Sequence, residues 1–128
     1  MILAIDIGNT NIVIGCCADG QVIFRERVST NPTATVLEYA AMLKMAFDMN
    51  RADITAVDGA ILSSVVPAVT LTMRDAVHKY LHLTPLVVGP GMKTGLNIAL
   101  DNPATMGSDL VVGAAAALAM HAPPLIII

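Results

Sequence analysis

The hexapeptide Asp6-Ile7-Gly8-Asn9-Thr10-Asn11 brings together a carboxylate, two amides, a hydroxyl and a glycine. It stands between two apolar, β-branched runs, residues 1–5 and 12–15, a pattern that predicts strand, tight polar turn, strand. Such a turn can aim backbone N–H groups, an amide and a hydroxyl at a phosphate, and the adjacent carboxylate can hold Mg²⁺ directly or through water. Phosphoryl transfer needs those parts: neutralised charge, a positioned metal and little covalent chemistry from the protein. The turn alone carries no function, because Asp, Gly and Asn are ordinary turn residues. A second polar group, Gly107-Ser108-Asp109, opens a predicted helix. A carboxylate at a helix N-terminus faces exposed N–H groups and stays ionised. From spacing alone, Ser108 and Asp109 also read as a plain helix cap.

The elements that must position these groups follow from apolar periodicity. Residues 1–7, 11–17 and 21–28 read as three strands, the last two joined by the hairpin turn Ala18-Asp19-Gly20. Residues 33–50 form a helix preceded by Pro32, with Val36, Ala40, Leu43 and Phe47 on one face. A fourth strand, 56–66, ends at Pro67, which opens a second helix to about residue 83 with Val69, Met73, Ala76, Val77 and Tyr80 inward. Residues 85–89 read as a short buried strand. Residues 90–106 form an irregular connection whose length points to function or disorder. A third helix, 107–121, is apolar all round and so predicted to be buried on several sides. After Pro123-Pro124, residues 125–128 start another strand. Its apolar, uncapped end predicts that the natural chain continues, since a bare strand of this kind invites aggregation. The order βββαβαβ, loop, αβ predicts an α/β fold, a mixed sheet with helices on its faces and right-handed crossovers.

Composition narrows the function. The 128 residues are one domain-sized unit, large enough to bury a core without staples. Charged residues make up 13% of the chain, about half the usual ~25%, so much of the surface must be apolar or covered by a partner. Net charge is −3 and aromatic content 3%, which argues against a nucleic-acid groove. Cys16 and Cys17 are neighbours in a strand and face opposite ways, so they read as free thiols of a reducing compartment. No apolar run reaches the ~20 residues that span a bilayer, and the N-terminus lacks a basic leader, which together predict a cytoplasmic protein. His78 and His82 are spaced i, i+4 on a helix, but no glutamate follows His78 and no third ligand is evident. Lys93, in the long connection, is a candidate binding residue. The eight methionines read as core filler.

An N-terminal Asp-x-Gly-Asn-Thr between strands resembles the first phosphate motif of the acetate and sugar kinase, Hsp70 and actin superfamily. Three further segments narrow the resemblance: Ser63-Ser64-Val65-Val66-Pro67, Gly91-Met92-Lys93-Thr94-Gly95-Leu96-Asn97-Ile98, and Asp101-Asn102-Pro103 leading into Met106-Gly107-Ser108-Asp109. Together and in this order they look like type III pantothenate kinase, over the whole chain. The resemblance implies an enzyme that phosphorylates pantothenate with ATP, the first step of coenzyme A synthesis. It implies Mg²⁺, a monovalent cation (K⁺ or NH₄⁺), a cytoplasmic homodimer and two actin-like (ribonuclease H-like) halves around a cleft. Residues 1–122 would be the first half, with a five-stranded sheet and a substrate loop at 90–109. Residues 123–128 would start a second half whose phosphate motif, carrying the monovalent-cation ligand, lies beyond this chain. A lone half would be inactive, because the reaction needs both walls of the cleft.

The resemblance also assigns roles. Asp6 would hold Mg²⁺ through water, and Asp6, Ile7, Gly8, Asn9, Thr10, Asn11, Ile12 and Val13 would form the ATP phosphate site. Gly107, Ser108, Asp109 and Leu110 match the pantothenate-binding loop, with Asp109 as the general base. Two positions depart from the pattern: Leu110 stands where the family usually has Arg, and Leu100 where it often has Tyr. Losing a charge-assisted hydrogen bond costs roughly 1.5–3 kcal/mol, so the chemistry would survive with a raised KM for pantothenate. Two other readings stay open: a different small-molecule kinase of the same superfamily, and a non-catalytic accessory or binding module.

Overall fold

A computed structural model describes residues 1–89, 92–97, 99 and 106–127. Leu100, Gly91 and Asp101-Asn102-Pro103, singled out above, lie outside the described residues.

The chain opens as an antiparallel meander of β1 (Ile2–Ile7), β2 (Asn11–Ala18) and β3 (Gln21–Ser29). The β2–β3 turn is Asp19-Gly20, with φ of 51° and 75°. Positive φ at both central positions is what a tight hairpin with right-handed twist requires, and Asp-Gly supplies it at low cost. A β-bulge then shifts the register: Cys17 pairs with Val22 but Cys16 pairs with Phe24, leaving Ile23 over.

Helix α1 (Val36–Met49) leads to β4 (Gly59–Ser64), parallel to β1, and α2 (Pro67–Leu81) leads to β5 (Leu86–Val87), parallel to β4. The five strands lie in the order β3-β2-β1-β4-β5, the mixed five-stranded α/β sheet expected. Helix α3 (Ser108–Met120) follows the long connection.

Strict alternation decides which face is which. Leu3, Ile5 and Ile7 of β1, Ile12, Ile14 and Cys16 of β2, and Leu62 of β4 are buried on one side of the sheet. Tyr39, Leu43 and Phe47 of α1 join Val69, Met73, Ala76 and Val77 of α2 in the same core. Phe47 is its centre, edge-on to Phe24 at 5.2 Å and to Tyr80 at 6.0 Å. The opposite face carries Ala4, Asp6, Val13, Cys17, Ile61 and Ser63, and Val112 of α3 reaches over it to form a groove of about 190 Å³.

Several boundaries differ from the sequence expectation. Helix α1 starts at Val36, not residue 33, because Thr35 and Glu38 form a reciprocal capping box there. The fourth strand is shorter than 56–66, because Ile54–Ala56 winds into a 3₁₀ turn capped by Asp53. Helix α2 ends at Leu81, where His82 takes a left-handed φ of 56°. The short fifth strand is an edge with Leu86 and Val87 exposed, not a buried strand; Pro85 and Val88 on either side of it are the buried residues.

Two corrections are larger. No residue of α3 is buried; Leu110, Val112, Leu118 and Met120 are exposed, because the principal packing of this helix is against β4. Residues 125–127 form no strand, since among the described residues no strand pairs with them, and Ile126 is 91% exposed.

Candidate active site

Asp6 is the one polar residue in the strand Ile2–Ile7. It is exposed at the C-terminal end of β1, on the face opposite the core, because alternation sends Leu3, Ile5 and Ile7 the other way. In α/β sheets, ligands bind outside the carboxyl ends of parallel strands, and β1 and β4 are such a pair. Across that pair Asp6 is in register with Ser63 and Ile7 with Ser64.

The turn beyond Asp6 is closed by the Gly8 N–H donating to the Asn11 carbonyl at 2.9 Å. A Cβ on Gly8 would meet that carbonyl oxygen at 3.1 Å, so the tight approach favours glycine. The Gly8 N–H is thereby engaged within the turn. Asn9 and Thr10 are exposed at its tip, and among the described residues no backbone hydrogen bond uses their N–H groups. These two amides, with the Asn9 side chain and Thr10 hydroxyl, are the donors an anion can reach. Ile7 and Ile12 are fully buried on the helix side, so only their backbone flanks the turn, while half-buried Val13 faces the groove.

The second group reaches the same end of the sheet through Ser108. Its hydroxyl donates to the Ser64 carbonyl at 2.9 Å and accepts from the Ser64 N–H at 3.2 Å and the Ser63 hydroxyl at 3.3 Å. One donor and two acceptor sites are all a serine hydroxyl has. Ser108 is therefore fully occupied in fastening the first turn of α3 to the end of β4. Ser64 is held from the other side by the Thr70 hydroxyl of α2 at 2.8 Å.

Asp109 is the next residue, exposed in the first turn of α3, with its carboxylate accepting from the Leu110 N–H at 2.8 Å. Gly107 is the N-cap, without a side-chain cap, so within the first turn it is the Asp109 carboxylate that takes up the Leu110 N–H. The Leu110 side chain is 58% exposed and apolar, and forms no polar contact. Two exposed carboxylates thus flank the end of β4, Asp6 on the paired strand β1 and Asp109 on α3, which Ser108 fastens to β4. Such an arrangement suits a metal and phosphate on one side and a proton acceptor on the other.

Other polar candidates stay apart from this end. His78 and His82 lie exposed at the end of α2, and among the described residues no three His, Cys, Asp or Glu side chains converge on a metal position. Lys93 is exposed in the connection. Cys16 is buried and Cys17 half-buried, both as free thiols. Among the described residues no helix is long and apolar enough to cross a membrane. Sequence reasoning left Thr30 unremarked, although its hydroxyl donates to the Gly8 carbonyl at 2.7 Å.

A family model described as type III pantothenate kinase matches residues 2–128. A relative named type III pantothenate kinase from an Exiguobacterium species is 44% identical over 128 residues, covering 100% of this chain and 50% of the relative. Another of the same name, from Halalkalibacterium halodurans, is 41% identical over the same length, again with 100% and 50% coverage. The chain therefore spans about half the length of the curated relatives it matches. With the Asp6–Asn11 turn and the Asp109 helix both inside that match, the chain belongs to the type III pantothenate kinase family.

Proposed function

We propose that this chain is the first actin-like half of an ATP-dependent kinase that converts pantothenate to 4′-phosphopantothenate, opening coenzyme A synthesis. The observation that supports the reading most is the Ser108 joint, which ties the Asp109 turn to the strand beside Asp6. In this reading the Asn9 and Thr10 amides hold the ATP phosphates, and Asp109 takes the proton from the primary hydroxyl of pantothenate. The hydroxyl oxygen forms its bond to the γ-phosphorus as the bond to the β,γ-bridging oxygen breaks, releasing ADP. Mg²⁺ takes oxygen ligands and needs few carboxylates when phosphate oxygens and water complete its shell, which fits exposed Asp6. When bound there, through water, the ion would neutralise charge on the phosphoryl group. No residue of this chain is assigned to the monovalent cation.

The second actin-like half would follow residue 122, cover the exposed apolar side of α3 and supply the other wall of the cleft. The working enzyme would be a cytoplasmic homodimer. Residues 1–128 alone would lack turnover, because positioning requires both walls.

The test is ADP release by the full-length protein with and without pantothenate, beside Asp109→Asn. Pantothenate-dependent turnover that falls about a hundred-fold or more in the variant supports both reaction and base. Tight ATP binding without pantothenate turnover moves the assignment to another acceptor. The exposed Leu110 favours that second reading, a related kinase for a different small alcohol, because an apolar side chain offers no partner to the pantothenate carboxylate.

A further inference from the structure

We propose that Thr30 is a positioning residue for the nucleotide phosphates, acting through the Gly8–Asn11 turn; the inference rests on the reading of that turn as the phosphate site. Thr30 grips the turn on both sides of its tip. Its hydroxyl donates to the Gly8 carbonyl at 2.7 Å, and its N–H donates to the Thr10 carbonyl at 2.9 Å. Asn9 and Thr10, whose N–H groups remain open, sit between these two anchored carbonyls. The Gly8 carbonyl shares its peptide plane with the Asn9 N–H, so fixing it fixes the direction in which that N–H points, while the bond to the Thr10 carbonyl pins the other end of the tip.

The grip is itself anchored in the core. The Tyr39 hydroxyl donates to the Asn31 carbonyl at 2.8 Å and accepts from the Asn31 N–H at 3.3 Å. Tyr39 is only 3% exposed and belongs to α1. A continuous chain of contacts therefore runs from the helical layer through Tyr39, Asn31 and Thr30 to the turn. Donors held in advance of binding lose little freedom when an anion arrives, whereas a loose turn must be ordered by the ligand.

The experiment is steady-state kinetics of the full-length kinase with Thr30→Val, which keeps the branched shape and the backbone N–H and removes only the hydroxyl. Thr30→Ser, which restores the hydroxyl, and Asp6→Asn are assayed beside it, with melting temperatures for all. The expected result is a rise of about three- to ten-fold in KM for ATP in Thr30→Val, with KM for pantothenate unchanged and recovery in Thr30→Ser. Tyr39→Phe should move KM for ATP the same way by a smaller factor. If Thr30→Val folds poorly, Thr30→Ala carries the same comparison. KM for ATP within about two-fold of wild type in Thr30→Val, while Asp6→Asn loses activity, overturns the positioning role and leaves the phosphate site standing. Equal losses in both KM values, or no recovery in Thr30→Ser, make Thr30 merely structural and also overturn it. Unchanged kinetics in Asp6→Asn removes the phosphate-site reading and the role of Thr30 with it.

Discussion

Gly107→Ala is a sharp probe of Asp109, because it moves the carboxylate without altering any charge. The Gly107 backbone has φ of −60° and ψ of 143°, a conformation open to any residue. Alanine there meets no backbone strain. Its Cβ, however, would stand 2.4 Å from Asp109 Oδ1 and 3.6 Å from Cγ. Real Cβ contacts essentially never fall below 3.0 Å, so the oxygen must retreat by at least about 0.6 Å. That displacement pulls it from the Leu110 N–H, its hydrogen-bond donor at 2.8 Å. A misplacement of about 1 Å in a reacting group costs on the order of 10²-fold in rate, so a shift of this size should lower kcat by about ten- to a hundred-fold. KM for ATP should hardly move, since the Gly8–Asn11 turn proposed to hold the phosphates is untouched. The assay is ADP release by the full-length enzyme, repeated in an Asp109→Asn background. If the alanine acts only through the base, it should cost almost nothing once the base is gone. A kcat within about two-fold of wild type for Gly107→Ala, or an undiminished loss in the double variant, would show that the position of the Asp109 carboxylate does not set the rate.

Leu110→Arg should lower KM for pantothenate by about ten-fold, as a charge-assisted pair to the substrate carboxylate would; an unchanged KM in the full-length enzyme would mean another group already fills that place. The Glu38 carboxylate lies below its ordinary value of 4.5, chiefly through the hydrogen bond from the Thr35 N–H and then the Thr35 hydroxyl. A depressed carboxylate contributes stability that is present above its unfolded pKa and lost as pH falls through the folded one, so wild type should lose melting temperature faster than Glu38→Gln below about pH 4.5; parallel curves would show that the capping box contributes nothing. Burial raises the pKa of the Cys16 thiol, whereas Cys17 is half-exposed on the groove side. Iodoacetamide should therefore label Cys17 far ahead of Cys16 in the native protein, and equal rates by mass spectrometry would contradict the burial of Cys16.

Most of the sheet is readable from the chain because its signals are local. Alternation in residues 2–7 and 11–18 separates a core face from an open face, and the turn chemistry of Asp19-Gly20 fixes the hairpin. What escapes is what local signals cannot carry. Counting back from the hairpin turn without a bulge sets Ser29 opposite Thr10; the extra residue at Ile23 moves the register by one and brings Thr30 there instead. Nothing in Val22-Ile23-Phe24 announces a bulge, so the grip of Thr30 on the Gly8–Asn11 turn stays hidden. The start of α1 shows the reverse case: the Thr35-x-x-Glu38 signature is legible, but Pro32 draws the boundary too early. For α3, an apolar sequence says only that something can cover it, and the described fold covers one side at most.

The two candidate carboxylates divide in the same way. Asp6 is legible as chemistry because a carboxylate that breaks an apolar strand must leave the core face, and the period of two sends it to the open one. Asp109 is legible only as a helix-start carboxylate, a role that a simple cap would explain equally well. The difference lies with Ser108. In a capped helix the serine oxygen would accept from the N–H groups of its own first turn. Here Gly107 occupies the cap position and Ser108 binds the backbone of Ser64, 44 residues away in sequence. That long-range use of the hydroxyl fastens the start of α3, and with it Asp109, to the end of β4, the strand paired with the one that carries Asp6. A plain cap needs no such fastening. In the proposed reaction a base that must meet a substrate held against the neighbouring strand would need it, because a misplacement of about 1 Å would cost on the order of 10²-fold in rate.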